Sequence, residues 1–197
     1  MRQISKKQIF SAFFAILFGL LLVSCSDNKI DSSLISSGST MDSKAREAEK
    51  NLDKASYADV ADVFLDNNEI HFDKDVLIVF GKNNCPYCDE LKNLIKGDSS
   101  LKQIIKDNFN PYYINTSYLK THSIHFSDRD SKADTTTIAQ VFAIDFTPSI
   151  VFLSKDGNVK YIFPGFTPKF KNLVLDVSKK DSAMGEYENL NKKIHNL

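Results

Sequence analysis

Residues 75–88 read DVLIVFGKNNCPYC, an apolar run that ends just before two cysteines. The run 75–80 is short and rich in β-branched residues, which predicts a strand buried on both faces. The stretch 86–96 has leucine and isoleucine at helical spacing, which predicts a helix. Cys85 and Cys88 therefore lie where a buried strand passes into a helix.

Two cysteines separated by two residues at such a junction indicate redox chemistry. A helix N-terminus presents free N–H groups and the positive end of the helix dipole, and both stabilise a thiolate. We therefore predict that Cys85 is the attacking sulfur and that Cys88, one turn into the helix, is more buried and resolves the mixed disulfide. Pro86 suits the first helical turn, because it lacks the N–H that would have no helical partner there.

The rest of the chain alternates helices and strands. Helices are predicted over 57–65, 86–96, 101–109, 135–142 and 168–177, and strands over 75–80, 111–115, 149–153 and 159–163. Asp156 and Gly157 form a tight turn that joins the last two strands into a hairpin. The polar stretch 116–134 is predicted to be a loop insertion with His122 and His125 on its surface. This order predicts an α/β fold, with one mixed sheet covered by helices.

The segment 80–88, FGKNNCPYC, resembles active sites of the thioredoxin superfamily. Thr147 and Pro148 precede a predicted strand and resemble the cis-proline position of that superfamily. The segment 163–166, FPGF, resembles the glycine that follows the hairpin in periplasmic thioredoxin-like proteins. The resemblance covers roughly residues 51–180 and implies a thioredoxin fold, in which helices flank a mixed central β-sheet.

The resemblance also implies roles for particular residues. Cys85 and Cys88 would form the catalytic pair, without a metal or a cofactor. The residues expected to support the pair are Lys82, Pro86 and Tyr87. In the family, the backbone before the cis-proline lies against the dithiol and pairs with an extended substrate segment, as an added strand does. Thr147 and Pro148 are therefore expected to bind substrate.

The chain departs from thioredoxins at two positions. Asn84 stands where cytoplasmic thioredoxins have a tryptophan, and the chain contains no tryptophan. Val79 stands where thioredoxins bury an acid that helps to deprotonate the resolving cysteine. A thioredoxin-like rate of reduction therefore does not follow from the resemblance.

The N-terminus is typical of a secretory signal. Arg2, Lys6 and Lys7 precede an apolar run from about residue 9 to residue 23, shorter than the ~20 apolar residues that usually span a membrane. The run ends in LVSC, which resembles a bacterial lipobox and implies that Cys25 is lipidated and attached to a membrane. A plain signal or a transmembrane anchor is the alternative.

The expected domains are a signal peptide over 1–24, a lipidated tether over 25–50 and a thioredoxin-like domain over 51–197. The tether is polar, which predicts that it does not fold by itself, although its end from about Asp42 has helical character. Without the signal peptide, 22 basic residues face 25 acidic ones. The chain has no basic stripe, which argues against binding to nucleic acid.

These features predict a periplasmic or extracytoplasmic, lipid-anchored thiol–disulfide oxidoreductase. We expect it to reduce disulfides of extracytoplasmic proteins with electrons from a membrane thiol donor. The alternatives are a thiol oxidase or isomerase, a substrate-binding protein without turnover, and a metal chaperone. A zinc site that combines the cysteines with His122 and His125 is a further alternative, since structural zinc takes four ligands.

Overall fold

The computed structural model describes residues 43–179. Within this range the chain forms five α-helices and seven strands. In chain order they are α1 (Ser43–Ser56), a 3₁₀ turn (Ala58–Val60), β1 (Glu69–His71), β2 (Val76–Gly81), α2 (Pro86–Gly97), α3 (Ser99–Asn108), β3 (Asn110–Asn115), β4 (Thr121–His125), β5 (Asp130–Asp134), α4 (Thr135–Val141), β6 (Ser149–Leu153), β7 (Val159–Pro164) and α5 (Phe170–Ser178).

The strands form two sheets. The four-stranded sheet has the order β3-β2-β6-β7, and the three-stranded sheet has the order β1-β4-β5. In the four-stranded sheet β2 pairs in parallel with β3 and antiparallel with β6, and β6 pairs antiparallel with β7. This is the predicted mixed sheet of a thioredoxin fold, and each strand predicted for it is present.

Side chains on β2 alternate between the two faces of the four-stranded sheet, as the two-residue repeat of a strand requires. Leu77 and Val79 enter one hydrophobic core, which they share with the helices α2, α3 and α5. Val76, Ile78 and Phe80 enter a second core on the other face. That second core also holds apolar residues of β1, β4 and α4, so the three-stranded sheet and α4 cover this face.

The prediction of a loop insertion over 116–134 was wrong. This stretch forms the antiparallel hairpin of β4 and β5, and β1 adds to it in parallel. Burial alternates along β4, where His122 and Ile124 are buried and the residues between and beside them are more exposed. The alternation was present in the sequence, but one of its two buried positions is a histidine, so the apolar pattern was incomplete. His122 had been expected on the surface, but it is fully buried.

The helix predicted over 57–65 was also wrong. The chain there forms only the 3₁₀ turn, followed by irregular backbone. Tyr57, Val60, Val63 and Phe64 are nevertheless buried in the first core. Their spacing reflects burial against the helices α2 and α3, and the backbone satisfies its hydrogen bonds locally and to Pro111.

Helix α1 begins at Ser43, close to where helical character was expected, and continues to Ser56. The predicted signal peptide, Cys25 and the residues up to 42 lie outside the described residues, as do residues 180–197. Among the residues that are described, no helix has the length and apolar character needed to cross a membrane.

Candidate active site

The two cysteines lie at the N-terminus of α2. Cys85 is the N-cap residue, Pro86 occupies the first helical turn, and the two sulfurs form a disulfide. The backbone N–H of Cys88 donates to Cys85 Sγ at 3.2 Å and also to the Cys85 carbonyl at 3.0 Å, so a backbone N–H of the first helical turn faces this sulfur. Cys85 is 5% exposed and Cys88 is 1% exposed, which is the predicted order of burial.

The turn before the cysteines is held by side chains from the end of β3. The backbone N–H of Asn83 donates to Ser117 Oγ at 2.9 Å, and its side-chain amide donates to Tyr118 Oη at 2.9 Å. Asn115 Nδ2 donates to Asn83 Oδ1 at 2.9 Å. Asn84 follows with a φ of 53°, a left-handed conformation that asparagine adopts more readily than most residues. The position filled by tryptophan in thioredoxins thus serves here as a turn residue.

Gly81 is the last residue of β2, and Tyr113 of the neighbouring strand β3 leaves no room there for a side chain. A Cβ atom at this position would lie 1.9 Å from Tyr113 Oη. Tyr113 is buried, and burial raises its pKa above the ordinary tyrosine value, with smaller contributions from the charges of Asp89 and Asp53. Its hydroxyl is therefore neutral. Because residue 81 is glycine, the Tyr113 ring packs against the end of β2, just before the turn that leads to the cysteines.

The peptide bond between Thr147 and Pro148 is cis, as the resemblance implied. The carbonyl oxygen of Thr147 lies 3.4 Å from Cys85 Sγ, and the Thr147 hydroxyl lies 3.6 Å from the same sulfur. Gly165 has a φ of 100° and donates its N–H to the Pro148 carbonyl at 2.7 Å. The segments at Thr147 and Gly165 are thus brought to the disulfide, although they are far from it in sequence.

Large aromatic side chains are exposed beside these segments. Tyr87, inside the cysteine motif, is 61% exposed, and Phe146, next to Thr147, is 70% exposed. The rings of Tyr87 and Phe166 stack with their centroids 6.4 Å apart. Exposed aromatic groups of this kind supply contact area for a partner.

A cavity of about 440 Å³ lies beside the site on the side of α4. Lys82, predicted to support the cysteines, is exposed and lines this cavity together with Thr147. The other lining residues are Thr116, Thr135, Thr136, Ala139, Gln140, Ala143, Ile144 and Asp145. The sequence did not indicate that residues of α4 line a cavity beside the cysteines, because the residues 135–145 carry no local signal of which part of the sheet they pack against.

The histidines of the three-stranded sheet do not join the cysteines. His122 Nδ1–H donates to the Asn67 carbonyl at 2.6 Å, and its Nε2 accepts from the Thr135 hydroxyl at 3.0 Å. Burial lowers the pKa of His122, so this ring is neutral with both nitrogens occupied. His125 Nε2 and Nδ1 lie 2.7 Å from Glu69 Oε2 and 2.8 Å from Asp130 Oδ1.

Across residues 43–179, no group of three or more histidine, cysteine, aspartate or glutamate side chains is placed to hold a metal ion. The proposed combination of Cys85 and Cys88 with His122 and His125 is therefore not assembled.

A buried polar network was not predicted at all. Lys120 Nζ lies 3.1 Å from Asp53 Oδ2 of α1 and donates to Asn67 Oδ1. Asn67 Nδ2 donates to Asp53 Oδ2 at 3.0 Å and to the Tyr113 carbonyl at 2.6 Å. The partners are separated by 14 to 67 positions in the chain, so local sequence patterns carried no signal of this network.

Comparison with known proteins matches residues 70–174 to the family described as thioredoxin-like domain. A thioredoxin-fold protein from Helicobacter pylori is 36% identical, and the alignment covers 73% of this chain and 94% of that one with a TM-score of 0.63.

Two more distant structures are also similar. A thioredoxin from Thermus thermophilus is 17% identical over 54% of this chain and 75% of its own, with a TM-score of 0.42. A thioredoxin-like protein from Clostridium perfringens is 19% identical over 61% of this chain and 89% of its own, with a TM-score of 0.41. A search of curated proteins found no match.

Proposed function

This chain belongs to the thioredoxin-like family, and from that premise we propose that it is a thiol–disulfide oxidoreductase that reduces protein disulfides. One observation carries the proposal. Cys85 and Cys88 form a disulfide at the N-terminus of α2, and the backbone of Thr147, held by the cis bond to Pro148, lies 3.4 Å from Cys85 Sγ. A reactive pair and a backbone edge for an extended substrate therefore meet at one point.

The reaction starts from the reduced pair. The Cys85 thiolate attacks one sulfur of a substrate disulfide, and a mixed disulfide forms while the other substrate sulfur leaves as a thiolate. The Cys88 thiolate then attacks Cys85 Sγ, so that the intramolecular disulfide forms and the second substrate thiolate is released. The substrate gains two electrons and the pair loses two. A dithiol donor must return them for the next turnover.

The residues of the site support these steps. The Cys88 N–H points at Cys85 Sγ and stabilises negative charge there, in addition to the dipole of α2. The Thr147 hydroxyl lies 3.6 Å from the same sulfur and is a further donor. The exposed rings of Tyr87 and Phe146 offer apolar contact to the substrate segment around its cystine.

We further propose that the protein acts outside the cytoplasm and is held on a membrane by lipid at Cys25. The basis is the charged start, the apolar run and the LVSC sequence at residues 22–25. Disulfides persist in oxidising compartments, so a reductase there needs a source of electrons. A membrane thiol donor would supply them. Replacement of Cys25 by alanine should release the protein from membranes and abolish incorporation of labelled fatty acid.

Reduction of insulin disulfides by the full chain tests the proposed activity. The Cys85→Ser variant should lose reduction by at least about a thousandfold, because the attacking thiolate is gone. The Cys88→Ser variant should instead accumulate a mixed disulfide, which gel electrophoresis without reductant detects. If Cys85→Ser still turns over insulin, the proposal fails. If both variants bind substrate normally and the wild type shows no turnover, the protein is a binding protein.

The direction of electron flow is tested in growing cells, where free thiols are trapped with a heavy alkylating reagent. A mostly reduced pair supports a reductase or isomerase that a donor maintains. A mostly oxidised pair supports the alternative of a thiol oxidase and contradicts the proposed direction.

A further inference from the structure

We propose that the cavity beside α4 is a specificity pocket, which takes one large uncharged side chain next to the cysteine of the substrate. The inference rests on the proposed function, since it assigns a substrate feature to the same site. The cavity volume of about 440 Å³ falls within the range of about 300–1,000 Å³ that is typical of ligand pockets. It is therefore large enough for any single side chain.

Thr147 connects the cavity to the disulfide. One end of this residue lies against Cys85 Sγ, and the same residue lines the cavity. Lys82 also lines the cavity and lies three positions before Cys85. An extended chain advances about 3.3 Å per residue. A substrate whose cystine meets Cys85 Sγ along the Thr147 backbone therefore places an adjacent residue at the cavity.

The cavity is built from restrained groups. Thr135 is only 3% exposed, and its hydroxyl is hydrogen-bonded to the buried His122. Helix α4 is fixed at its start by Asp134, whose side chain accepts from the Thr137 N–H at 2.7 Å. A preformed pocket loses little conformational entropy when it is filled, so the free energy of contact is retained as selectivity.

The end of α4 is fixed as well. The N–H of Ala143 donates to the Gln140 carbonyl and the N–H of Ile144 donates to the Ala139 carbonyl, both at 3.0 Å. These are the two hydrogen bonds of a Schellman motif, with Ala143 in the left-handed position at a φ of 50°. All four of these residues line the cavity, so the motif shapes its wall.

The lining favours an uncharged occupant. Ala139, Ala143 and Ile144 offer apolar surface, and the threonine side chains add methyl groups. Lys82 and Asp145 carry opposite charges that balance, so the lining has no net charge to attract an ion of either sign, and a charged side chain that enters loses hydration. A leucine, phenylalanine or tyrosine side chain gains contact and leaves no charge buried.

The test measures how fast the reduced full chain reacts with symmetric peptide disulfides of the form acetyl-Gly-X-Cys-Gly-amide, and with the same series in which X follows the cysteine. Rapid acid quenching and alkylation report the oxidised pair. Leucine, phenylalanine and tyrosine at X should react about tenfold faster than glycine, aspartate or lysine in one of the two series. A flat series in both positions overturns the inference.

Variants locate the preference. Thr136→Trp and Gln140→Phe, one helical turn apart on the same face of α4, each fill the cavity and should reduce the ratio of the phenylalanine rate to the glycine rate to about one. Lys132→Trp, on an exposed position of β5 outside the cavity, should keep the wild-type ratio. Persistence of the ratio in both filled variants overturns the inference, and circular dichroism checks that each variant is folded.

One probe separates the inference from the function on which it rests. Bis(2-hydroxyethyl) disulfide has no side chain to enter the cavity. If the reduced wild type reacts with this probe but shows no preference among the peptides, the specificity pocket is wrong and the oxidoreductase stands. If the wild type reacts with neither this probe nor any peptide, both proposals fail.

Discussion

The two sheets of this molecule differ in how much polar contact stabilises them. In the four-stranded sheet every residue of β2 and β6 is buried, and their side chains fill apolar cores on both faces. In the three-stranded sheet β1 and β5 each bury only one residue, and the buried polar side chains of Lys120, Asp53 and Asn67 add to its apolar contacts with the second core. The cysteines directly follow β2 of the four-stranded sheet. Helix α4, which lines the cavity, directly follows β5 of the three-stranded sheet.

The difference matters because apolar contact and polar contact tolerate error differently. Apolar burial is roughly proportional to area and does not depend on direction. A buried ion pair stabilises a fold only if each charged group keeps its partners, since the loss of one partner leaves a charge buried alone. Lys120 and Asp53 have side chains only 6% and 3% exposed, and Asn67 bonds to both. The second sheet therefore depends on a few exact polar contacts in addition to its apolar packing, whereas the first depends on many approximate apolar contacts.

The largest loss of stability is expected in the first sheet. Phe152 of β6 is fully buried, and its ring centroid lies 5.4 Å from that of Phe109. Phe152→Ala should lower the free energy of unfolding by about 4 kcal/mol, because the loss of buried apolar surface and the cost of the cavity left behind add together. Urea denaturation measures this, with Phe146→Ala, at a 70% exposed position, as a control that should change stability by less than about 0.5 kcal/mol. Equal losses in the two variants would contradict the assigned core.

The polar network of the second sheet is tested by Lys120→Met. This change leaves the Asp53 carboxylate buried without its cation, and should cost about 3 kcal/mol. The double variant Asp53→Leu/Lys120→Met should recover at least half of that loss, because no charge is then left unpaired. Lys102→Met, which breaks the more exposed pair with Asp62, is the matched control and should cost less than about 1 kcal/mol. A loss of less than about 1 kcal/mol for Lys120→Met would mean that the network does not hold the sheet.

The pKa values of two histidines of β4 should shift in opposite directions from the ordinary histidine value of about 6.5. Burial lowers the pKa of His122, whereas hydrogen bonds to Glu69 and then Asp130 raise the pKa of His125. NMR titration of the imidazole resonances measures both. Glu69→Gln should lower the pKa of His125 and leave that of His122 unchanged. A pKa of His122 above that of His125 would contradict the described burial.

The same shifts give the two histidines opposite effects on stability. Below about pH 6.5 the unfolded chain binds a proton at position 122 that folded His122 resists, so this stabilisation is present above pH 6.5 and is lost as the pH falls. Folded His125 binds its proton more tightly than the unfolded chain does. Its stabilisation is present below pH 6.5 and is lost as the pH rises through its raised pKa. Urea denaturation against pH should show a smaller loss of stability just below pH 6.5 for His122→Gln than for the wild type.

The smallest effect is expected at the connection from the three-stranded sheet to the four-stranded one. Ala143, after α4, has a φ of 50°, where a Cβ atom is strained and glycine is not. Ala143→Gly should raise the free energy of unfolding by about 0.5 kcal/mol, because relief of strain is partly offset by the entropy of glycine in the unfolded chain. Ala133→Gly, in β5 at an ordinary strand position, is the control and should destabilise the fold. A destabilised Ala143→Gly would contradict the left-handed turn.

The sequence by itself determined the position of the cysteine pair and the four-stranded sheet. The run 75–80, the helix from Pro86 and the hairpin at Asp156 are local patterns of hydrophobicity and turn residues, and each was found where it was expected. Thr147 and Pro148 were identified through family resemblance, and the cis bond agrees with it. Such features are readable because neighbouring residues alone specify them.

Only the tertiary structure decided the second sheet and what lies beneath it. The stretch 116–134 is polar, and its strands are stabilised by partners such as Asp53 and Asn67 that lie far away in the chain. His122 is buried because the Asn67 carbonyl and the Thr135 hydroxyl satisfy its two nitrogens. A polar residue is buried where hydrogen-bond partners meet it in space, and the local sequence does not carry that information. The cavity beside α4 follows from the same tertiary placement.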